Sequence, residues 1–198
     1  MARGAPPYEP RFVAGRACLD LLATAHPAER LDGPGALCAW IAAAGIVPAG
    51  TRLAHADASW PPRFRELRRD VGVLVRGTPT GSPAYERAYE RALGRVNDAA
   101  RAAPPAPHAV RTADGGLARE LAAPPTCAAL LALLARDAVE LLTDPVARAA
   151  VRECEGEDCP LVYLDTSRGR RRRWCSSEVC GNRERVARHR RRTALPRA

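Results

Sequence analysis

The chain has 198 residues and a formal net charge of +9, and all of its cationic side chains apart from histidine are arginines. The lack of lysine excludes mechanisms that need one, such as a P-loop, a Schiff base or a kinase site. Hydrophobic residues make up 46% of the sequence but aromatic residues only 5%. Alanine, leucine and valine must therefore fill the core, which favours packed helices over a β-sandwich.

The first hundred residues predict four helices with recognisable starts and stops. Apolar residues at helical spacing run from Ala14 to Ala25. The next helices begin after Asp32 at Pro34 and stop at Gly45, begin at Ser59 and stop at Gly77, and begin at Ser82-Pro83.

A different pattern follows after Pro104, Pro105 and Pro107, which end the helical periodicity. The segments 108–112 and 117–121 flank Asp114-Gly115-Gly116 and predict a β-hairpin. Thr126 then caps a long apolar helix, and Asp144-Pro145 starts one more helix toward Val151. We therefore predict a mainly α fold, with a helical domain at 10–150 that contains a small hairpin near 108–121, and a separate module at 151–193.

The positive charge is concentrated at one end of the chain. Residues 1–165 hold 19 Arg against 20 Asp and Glu, whereas residues 166–198 hold 12 Arg against two Glu. A segregated basic segment is typical of a protein that binds a polyanion, usually nucleic acid. The alternative is a solvated, disordered tail that keeps the chain soluble.

The cellular compartment follows from what the sequence lacks. Met1 to Phe12 contain no apolar core of signal-peptide length, and the longest nearly uncharged stretch, Ala36 to Thr51, is too short and too broken to span a bilayer. We expect a cytoplasmic protein with reduced thiols and no membrane partner. Three of its seven cysteines, Cys18, Cys38 and Cys127, lie on apolar helix faces and are expected to pack in the core.

The other four cysteines form two close pairs, Cys154 with Cys159 and Cys175 with Cys180, separated by fifteen residues. Two such pairs are typical of a tetrahedral Cys₄ zinc site, with Gly156 loosening the first turn. A strand at 161–164 and a turn at 165–169 predict a hairpin, and a helix begins at Ser176-Ser177. Knuckle, hairpin and helix together make a treble-clef-like arrangement. We predict one structural Zn²⁺ whose binding folds the module. Four thiolates leave no position for a reacting water, so no catalytic site is expected.

The residues around these cysteines resemble the CGNR zinc finger, and the N-terminal segments resemble the helical ABATE domain that bacterial proteins pair with it. The finger resemblance lies in Tyr163-Leu164-Asp165-Thr166-Ser167, Arg172-Arg173-Trp174-Cys175 and Cys180-Gly181-Asn182-Arg183. The ABATE resemblance lies in Ala14-Gly15-Arg16, Leu19-Asp20-Leu21, Leu37, Trp40-Ile41, Ala44-Gly45, Leu93 and Val96-Asn97. It implies a zinc-dependent, DNA-binding regulator of a group regarded as stress-induced transcription regulators.

Several arginines are candidates for nucleic-acid contact, because guanidinium groups suit phosphates and guanine edges. These candidates are Arg170, Arg171, Arg172, Arg185, Arg188, Arg191 and Arg192. Alternatively, some of Arg170 to Arg173, together with Arg183, offset the negative charge of a four-thiolate site.

Four further residues are expected to be structural around the zinc: Asp165, Trp174, Asn182 and Arg183. Asp165 belongs to a polar turn whose side chains bond local backbone N–H groups. Trp174 packs over the metal or, alternatively, stacks on a base. Asn182 ties the helix to the Asp165 turn or, alternatively, reads an adenine edge.

The leading functional hypothesis is a DNA-binding transcription regulator, associated with the nucleoid when bound, that is not an enzyme. Its helical domain would bind a small-molecule effector or form a homodimer. The two alternatives are an RNA-binding protein, and a ligand-binding helical domain for which the zinc finger serves as a purely structural support.

Overall fold

A computed structural model of the chain describes residues 12–77 and 82–194, apart from the side chains of Arg192 and Ala194. Two predictions fall partly outside this range. The start of the helical domain at residue 10 precedes the first described residue, and the side chain of Arg192 is not described.

The described residues form α-helices, two short antiparallel sheets and one π-helical turn. In chain order they are α1 (Ala17–Ala23), α2 (Pro34–Ala43), α3 (Trp60–Arg76), α4 (Pro83–Ala100), β1 (Pro107–Arg111), β2 (Leu117–Leu121), α5 (Cys127–Thr143), α6 (Pro145–Arg148), β3 (Val151–Glu153), β4 (Val162–Leu164), the π turn (Ser177–Gly181) and α7 (Asn182–Ala194). The mainly α fold with a small hairpin and a C-terminal cysteine-rich module is confirmed.

The core is built around α5, the most apolar of the long helices. Its buried face packs against α1, α3 and α4, and Leu130, Leu134 and Leu141 are completely buried there. At the far side of α3, Phe64 meets Trp40 of α2 edge to face, with ring centroids 6.5 Å apart. Aliphatic side chains therefore supply most of this core, as the composition predicts.

The predicted helix boundaries follow from local chemistry and are largely confirmed. The hydroxyl of Thr126 accepts the N–H of Ala129 at 3.2 Å and caps α5. The carboxylate of Asp144 accepts the N–H of Val146 at 2.8 Å and starts α6. α1 is shorter than its apolar pattern, because the chain bends at Ala14 to Arg16, where the carbonyl of Ala14 accepts the N–H of Leu164 in the C-terminal module.

The hairpin of β1 and β2 has the predicted position, with Val110 opposite Ala118. A second hairpin, predicted from a strand at 161–164 and a turn at 165–169, forms instead between β4 and β3, which precedes it in the chain. The helix expected to continue toward Val151 ends at Arg148, and Val151 pairs with Leu164 of β4 instead. The reason is tertiary: β3 has only three residues and is held by its partner strand, not by its own propensity.

A main-chain hydrogen bond joins the C-terminal module to the segment that precedes α1, and a second holds β4 to the residue before β3. Leu164 donates its N–H to the carbonyl of Ala14 at 2.8 Å, and Asp165 donates to Ala150 at 2.8 Å. Gly15, the residue after Ala14, adopts φ +83° and lies against Leu164. A Cβ at this position would be 3.4 Å from the Cβ of Leu164. None of the helices among the described residues is long and apolar enough to cross a lipid bilayer.

Candidate metal centre and basic surface

Two structural units bring the four cysteines together. Cys154 directly follows β3, and Cys159 closes the tight turn after it by donating its N–H to the carbonyl of Gly156 at 3.1 Å. Cys175 precedes the π turn, and Cys180 lies within it. The first turn needs unusual backbone, and Asp158 adopts φ +57° in it. A knuckle and the start of a helix therefore face one another, as in a treble clef.

The four sulfur atoms fit one tetrahedral ion. All of them lie within 4.8 Å of one another, with Cys159 Sγ 3.7 Å from Cys175 Sγ and Cys175 Sγ 3.6 Å from Cys180 Sγ. A tetrahedron with Zn–S bonds of about 2.3 Å has edges of about 3.8 Å. The cluster is thus already close to the size that Zn²⁺ requires.

Backbone donors and burial act in opposite directions on these thiols. Burial disfavours ionisation of Cys154, but hydrogen bonds outweigh it and lower the pKa of that thiol. They come from the N–H groups of Cys175 and Gly156, 3.2 and 3.4 Å from its sulfur, and from the thiols of Cys159 and Cys175. Burial raises the pKa of Cys159 to about 11 and raises that of Cys175 as well. A metal ion is therefore what stabilises these groups as thiolates, because its positive charge replaces the bound protons.

Gly156 is needed for the close approach of the two units. A Cβ at this position would lie 3.1 Å from the Cβ of Cys180 and 3.3 Å from its sulfur. Any larger residue would press the knuckle away from the π turn.

The zinc prediction is confirmed: Cys154, Cys159, Cys175 and Cys180 form the site of one structural zinc ion. Four thiolates saturate the ion, which supplies folding free energy and a fixed geometry. The remaining cysteines lie elsewhere: Cys18 and Cys127 are buried in the helical core, and Cys38 is half-buried on α2.

Arg172 connects the loop before the π turn to the segment that precedes α1. Its guanidinium donates to the carbonyl oxygens of Trp174 at 2.8 Å, of Cys175, and of Val13 at 3.1 Å. It also lies over the ring of Tyr163, 4.4 Å from the centroid. This side chain was predicted to contact nucleic acid, and the structure turns it inward.

Asp165 holds the same loop through hydrogen bonds to its main chain. It is 2% exposed, and its carboxylate accepts the N–H groups of Ser167 at 2.9 Å and Arg172 at 3.0 Å. Its pKa is held below the usual value, chiefly by the Ser167 side chain. Asp165 thus fixes the path of the chain into Arg172, and the hydrogen bonds of the described residues do not include one from Asn182 to this turn.

The other residues expected around the zinc lie at its outer edge. The ring of Trp174 packs on Gly181, where a Cβ would be 3.5 Å from its Cε3, and Arg173 lies over the ring at 5.3 Å. Asn182 is exposed at the start of α7. Arg183, also exposed, borders a 360 Å³ cavity that reaches the cysteines.

Comparison with protein families agrees with this geometry. A model named ABATE, described as "Putative stress-induced transcription regulator", matches residues 15–145, which is 131 of the 198 residues. The chain belongs to the ABATE family. The CGNR zinc finger model matches residues 150–193 of this ABATE protein. No curated protein matches its sequence.

The described arginines of α7 in the ABATE protein extend into solvent. Those with exposed side chains are Arg183, Arg185, Arg188, Arg190 and Arg191. Arg191 forms an ion pair with Glu184, in which Nη2 lies 2.9 Å from Oε1. On an α-helix Arg185 and Arg188 lie on one stripe, and position 192 follows on the same stripe.

The loop arginines precede the π turn, which leads directly into this helix. Arg170 and Arg171 are exposed, and Arg170 adopts φ +50°. Arg171 also lines a groove of 480 Å³ that extends to Ser177. Arg185 reaches back from α7 to the carbonyl of Ser177 at 3.5 Å. We call Arg170, Arg171, Arg185 and Arg188 the basic surface of the ABATE protein.

Proposed function

We propose that this ABATE protein is a zinc-dependent transcription regulator that binds duplex DNA through its basic surface. The observation that supports the proposal best is the convergence of the Arg171 groove and Arg185 on Ser177, directly beside the zinc cluster. Zinc would hold the loop and the helix in a fixed relation, so that their guanidinium groups present one pre-organised cationic surface.

The arginines divide by their contacts. The four of the basic surface are assigned to phosphates, Arg192 joins them by its helical spacing, and Arg191 contributes less because of Glu184. Arg172 is assigned to holding the loop, since its guanidinium already has three carbonyl partners. Asn182, exposed at the N-terminal end of α7, is the candidate for reading an adenine edge.

The shape of α7 favours DNA over RNA. It has 13 residues, which correspond to a rod of about 20 Å, and the major groove of B-DNA admits such a helix. The deep, narrow major groove of A-form RNA does not.

The domain layout completes the proposal. Residues 151–193 form the DNA-binding unit, and residues 10–150 form the helical domain that senses an effector and carries any homodimer contact. Neither region is assigned a catalytic role, and the family matches are to a regulator and a zinc finger. Such a regulator acts in the cytoplasm on nucleoid DNA.

The test is fluorescence anisotropy of the zinc-loaded protein with labelled duplex DNA recovered by selection from a random pool. If six to eight phosphates are contacted, log affinity should fall with log salt at a slope of roughly −5 to −7. The double variant Arg185→Gln/Arg188→Gln should bind more weakly and flatten the slope by about 1.8. Arg87→Gln/Arg91→Gln, which removes two exposed arginines of α4, is the charge-matched control.

Three outcomes would contradict the proposal. Equal binding by the two double variants would mean that the net charge and not the basic surface is responsible. Preferential competition by structured RNA would favour the RNA-binding alternative. No nucleic-acid binding by the zinc-loaded chain would leave the finger a structural support for the helical domain.

A further inference from the structure

A cleft of 710 Å³ lies where α1 and α3 meet the zinc knuckle. Four arginines of α3 line it, Arg65, Arg68, Arg69 and Arg76, together with a single carboxylate, that of Glu29. Nothing in the zinc site or the basic surface uses this cleft, and its lining carries a clear excess of positive charge.

The four arginines differ in how far their charge is already neutralised. Arg68 is ion-paired with Glu29 and donates to Thr24 Oγ1 at 2.7 Å, so it is committed. Among the described residues Arg65 donates to the carbonyl of Leu31 at 3.2 Å and forms no ion pair, although its charge helps to lower the pKa of Glu29. Arg69 is exposed and makes no ion pair with any residue in the described parts of the chain. Arg65 and Arg69 therefore remain available to an anion.

The fourth arginine connects the cleft to the zinc site. Arg76 donates to the carbonyl of Pro160 at 2.9 Å, and its Nε is 3.7 Å from Glu153. Pro160 directly follows the zinc ligand Cys159. An anion that drew Arg76 toward the cleft would weaken its hold on the knuckle.

The floor of the cleft is apolar, with Leu22, Val73 and Leu161 among its lining residues. Gly72 keeps this floor open. A Cβ there would lie 3.2 Å from Arg76 Nη1 and 3.6 Å from Leu22 Cδ2. Glycine is a poor residue for the interior of a helix, so its place in α3 is explained by the space that it leaves.

We propose that this cleft binds an organic anion, with a carboxylate or phosphate head held by Arg65 and Arg69 and an apolar body on the Leu22–Leu161 floor. Guanidinium groups bind either head through paired hydrogen bonds. Binding also draws on Arg76 and so loosens the knuckle. Ligand binding is independent of the DNA proposal, and only an effect on transcription rests on that proposed function.

Isothermal titration of the zinc-loaded full chain with octanoate and with phenyl phosphate tests the site. We expect saturable binding of at least one of them, and which one binds identifies the head group. Octanol lacks the charge and inorganic phosphate lacks the apolar body, so both should bind much more weakly. No saturable binding of either organic anion would overturn the proposal.

Two variants with matched controls locate the binding. Arg69→Gln should weaken it by about tenfold or more, because a charged hydrogen-bond donor is lost. The control is Arg87→Gln, an exposed arginine of α4. Gly72→Leu should block the floor, whereas Gly94→Leu on α4 points into open space. Affinity unchanged in Arg69→Gln would overturn the assignment even if Gly72→Leu does not fold.

The link to the knuckle has its own measurement, the rate of zinc transfer to a colorimetric chelator. A saturating organic anion should accelerate zinc release from the wild type and have no effect on Arg76→Gln. Equal rates with and without the anion would refute the link. Because neither readout involves DNA, a protein that binds the anion but no DNA would refute only the proposed function.

Discussion

The guanidinium of Arg172 stacks on the ring of Tyr163, and the phenol of Tyr163 in turn donates to the main-chain carbonyl of Arg172 at 2.5 Å. The two residues close a ring of contacts between β4 and the loop that leads to Cys175. Because Arg172 also reaches Val13, this pair fixes the zinc module against the helical part of the protein.

Replacing Arg172 by Gln should destabilise the zinc-loaded protein by about 2–3 kcal/mol, since three carbonyl acceptors lose a charged donor. The measurement is the free energy of unfolding in urea, at fixed zinc concentration. Arg171→Gln is the control; its side chain is exposed, and a change within about 0.5 kcal/mol is expected. Equal losses in both variants would show that general charge and not the Arg172 contacts matters.

Removal of one zinc ligand should abolish stoichiometric metal binding. Native mass spectrometry should show one zinc ion per chain in the wild type and none in Cys175→Ser or Cys180→Ser, because three thiolates hold the ion far less tightly. Cys38→Ser, on α2, should keep it. Helical circular dichroism should fall only in part, because α3, α4 and α5 pack independently of the cysteines.

A side chain at position 156 should weaken zinc binding. Gly156→Ala places a methyl group 3.1 Å from Cys180 Cβ, so zinc affinity should fall by about tenfold as the two units separate. Competition with a chelator of known affinity measures the change. Gly35→Ala on α2, where nothing lies within 4 Å, should leave the affinity unaltered.

Asp20 should make the helical part less stable as the solution is made less acidic. Burial raises the pKa of Asp20 to about 6, above its ordinary value of 3.8, and the N–H of Ala14 offsets this only in part. Between these values the folded state binds more protons than the unfolded state, so the free energy of unfolding falls as pH rises through about 4 to 6. The loss should reach about 2–3 kcal/mol and stay constant above that window.

Asp20→Asn isolates this contribution, because the amide oxygen still accepts the N–H of Ala14 but does not ionise. The unfolding free energy of the wild type minus that of Asp20→Asn, measured from pH 4 to pH 7, should fall as the pH rises. A difference that is flat across this range would contradict the assignment, whatever acid does to the zinc site.

The sequence predicts those features that local chemistry determines. The cysteine spacing is sufficient to predict the zinc site, and Thr126 and Asp144 mark helix starts because their side chains bond the next turn. It does not predict β3, since Val151 is extended only through pairing with Leu164, thirteen residues away.

Tertiary context also decides between identical neighbours. Arg170, Arg171 and Arg172 are three identical residues in a row. Arg172 turns inward because its guanidinium packs on the ring of Tyr163 and its N–H donates to the carboxylate of Asp165. The arginine-lined cleft is likewise invisible in the sequence. Its cationic face belongs to α3, but Leu161 in its floor follows the zinc knuckle, and only the folded chain brings the two together.

The main-chain bond from Leu164 to Ala14 spans 150 residues of chain. A protein still being synthesised therefore leaves its first helix without this neighbour until residue 164 has emerged from the ribosome. Because metal binding folds the module, we expect molecules made under zinc starvation to keep that seam open and exposed to proteases. The cellular lifetime of the protein should consequently follow the supply of zinc.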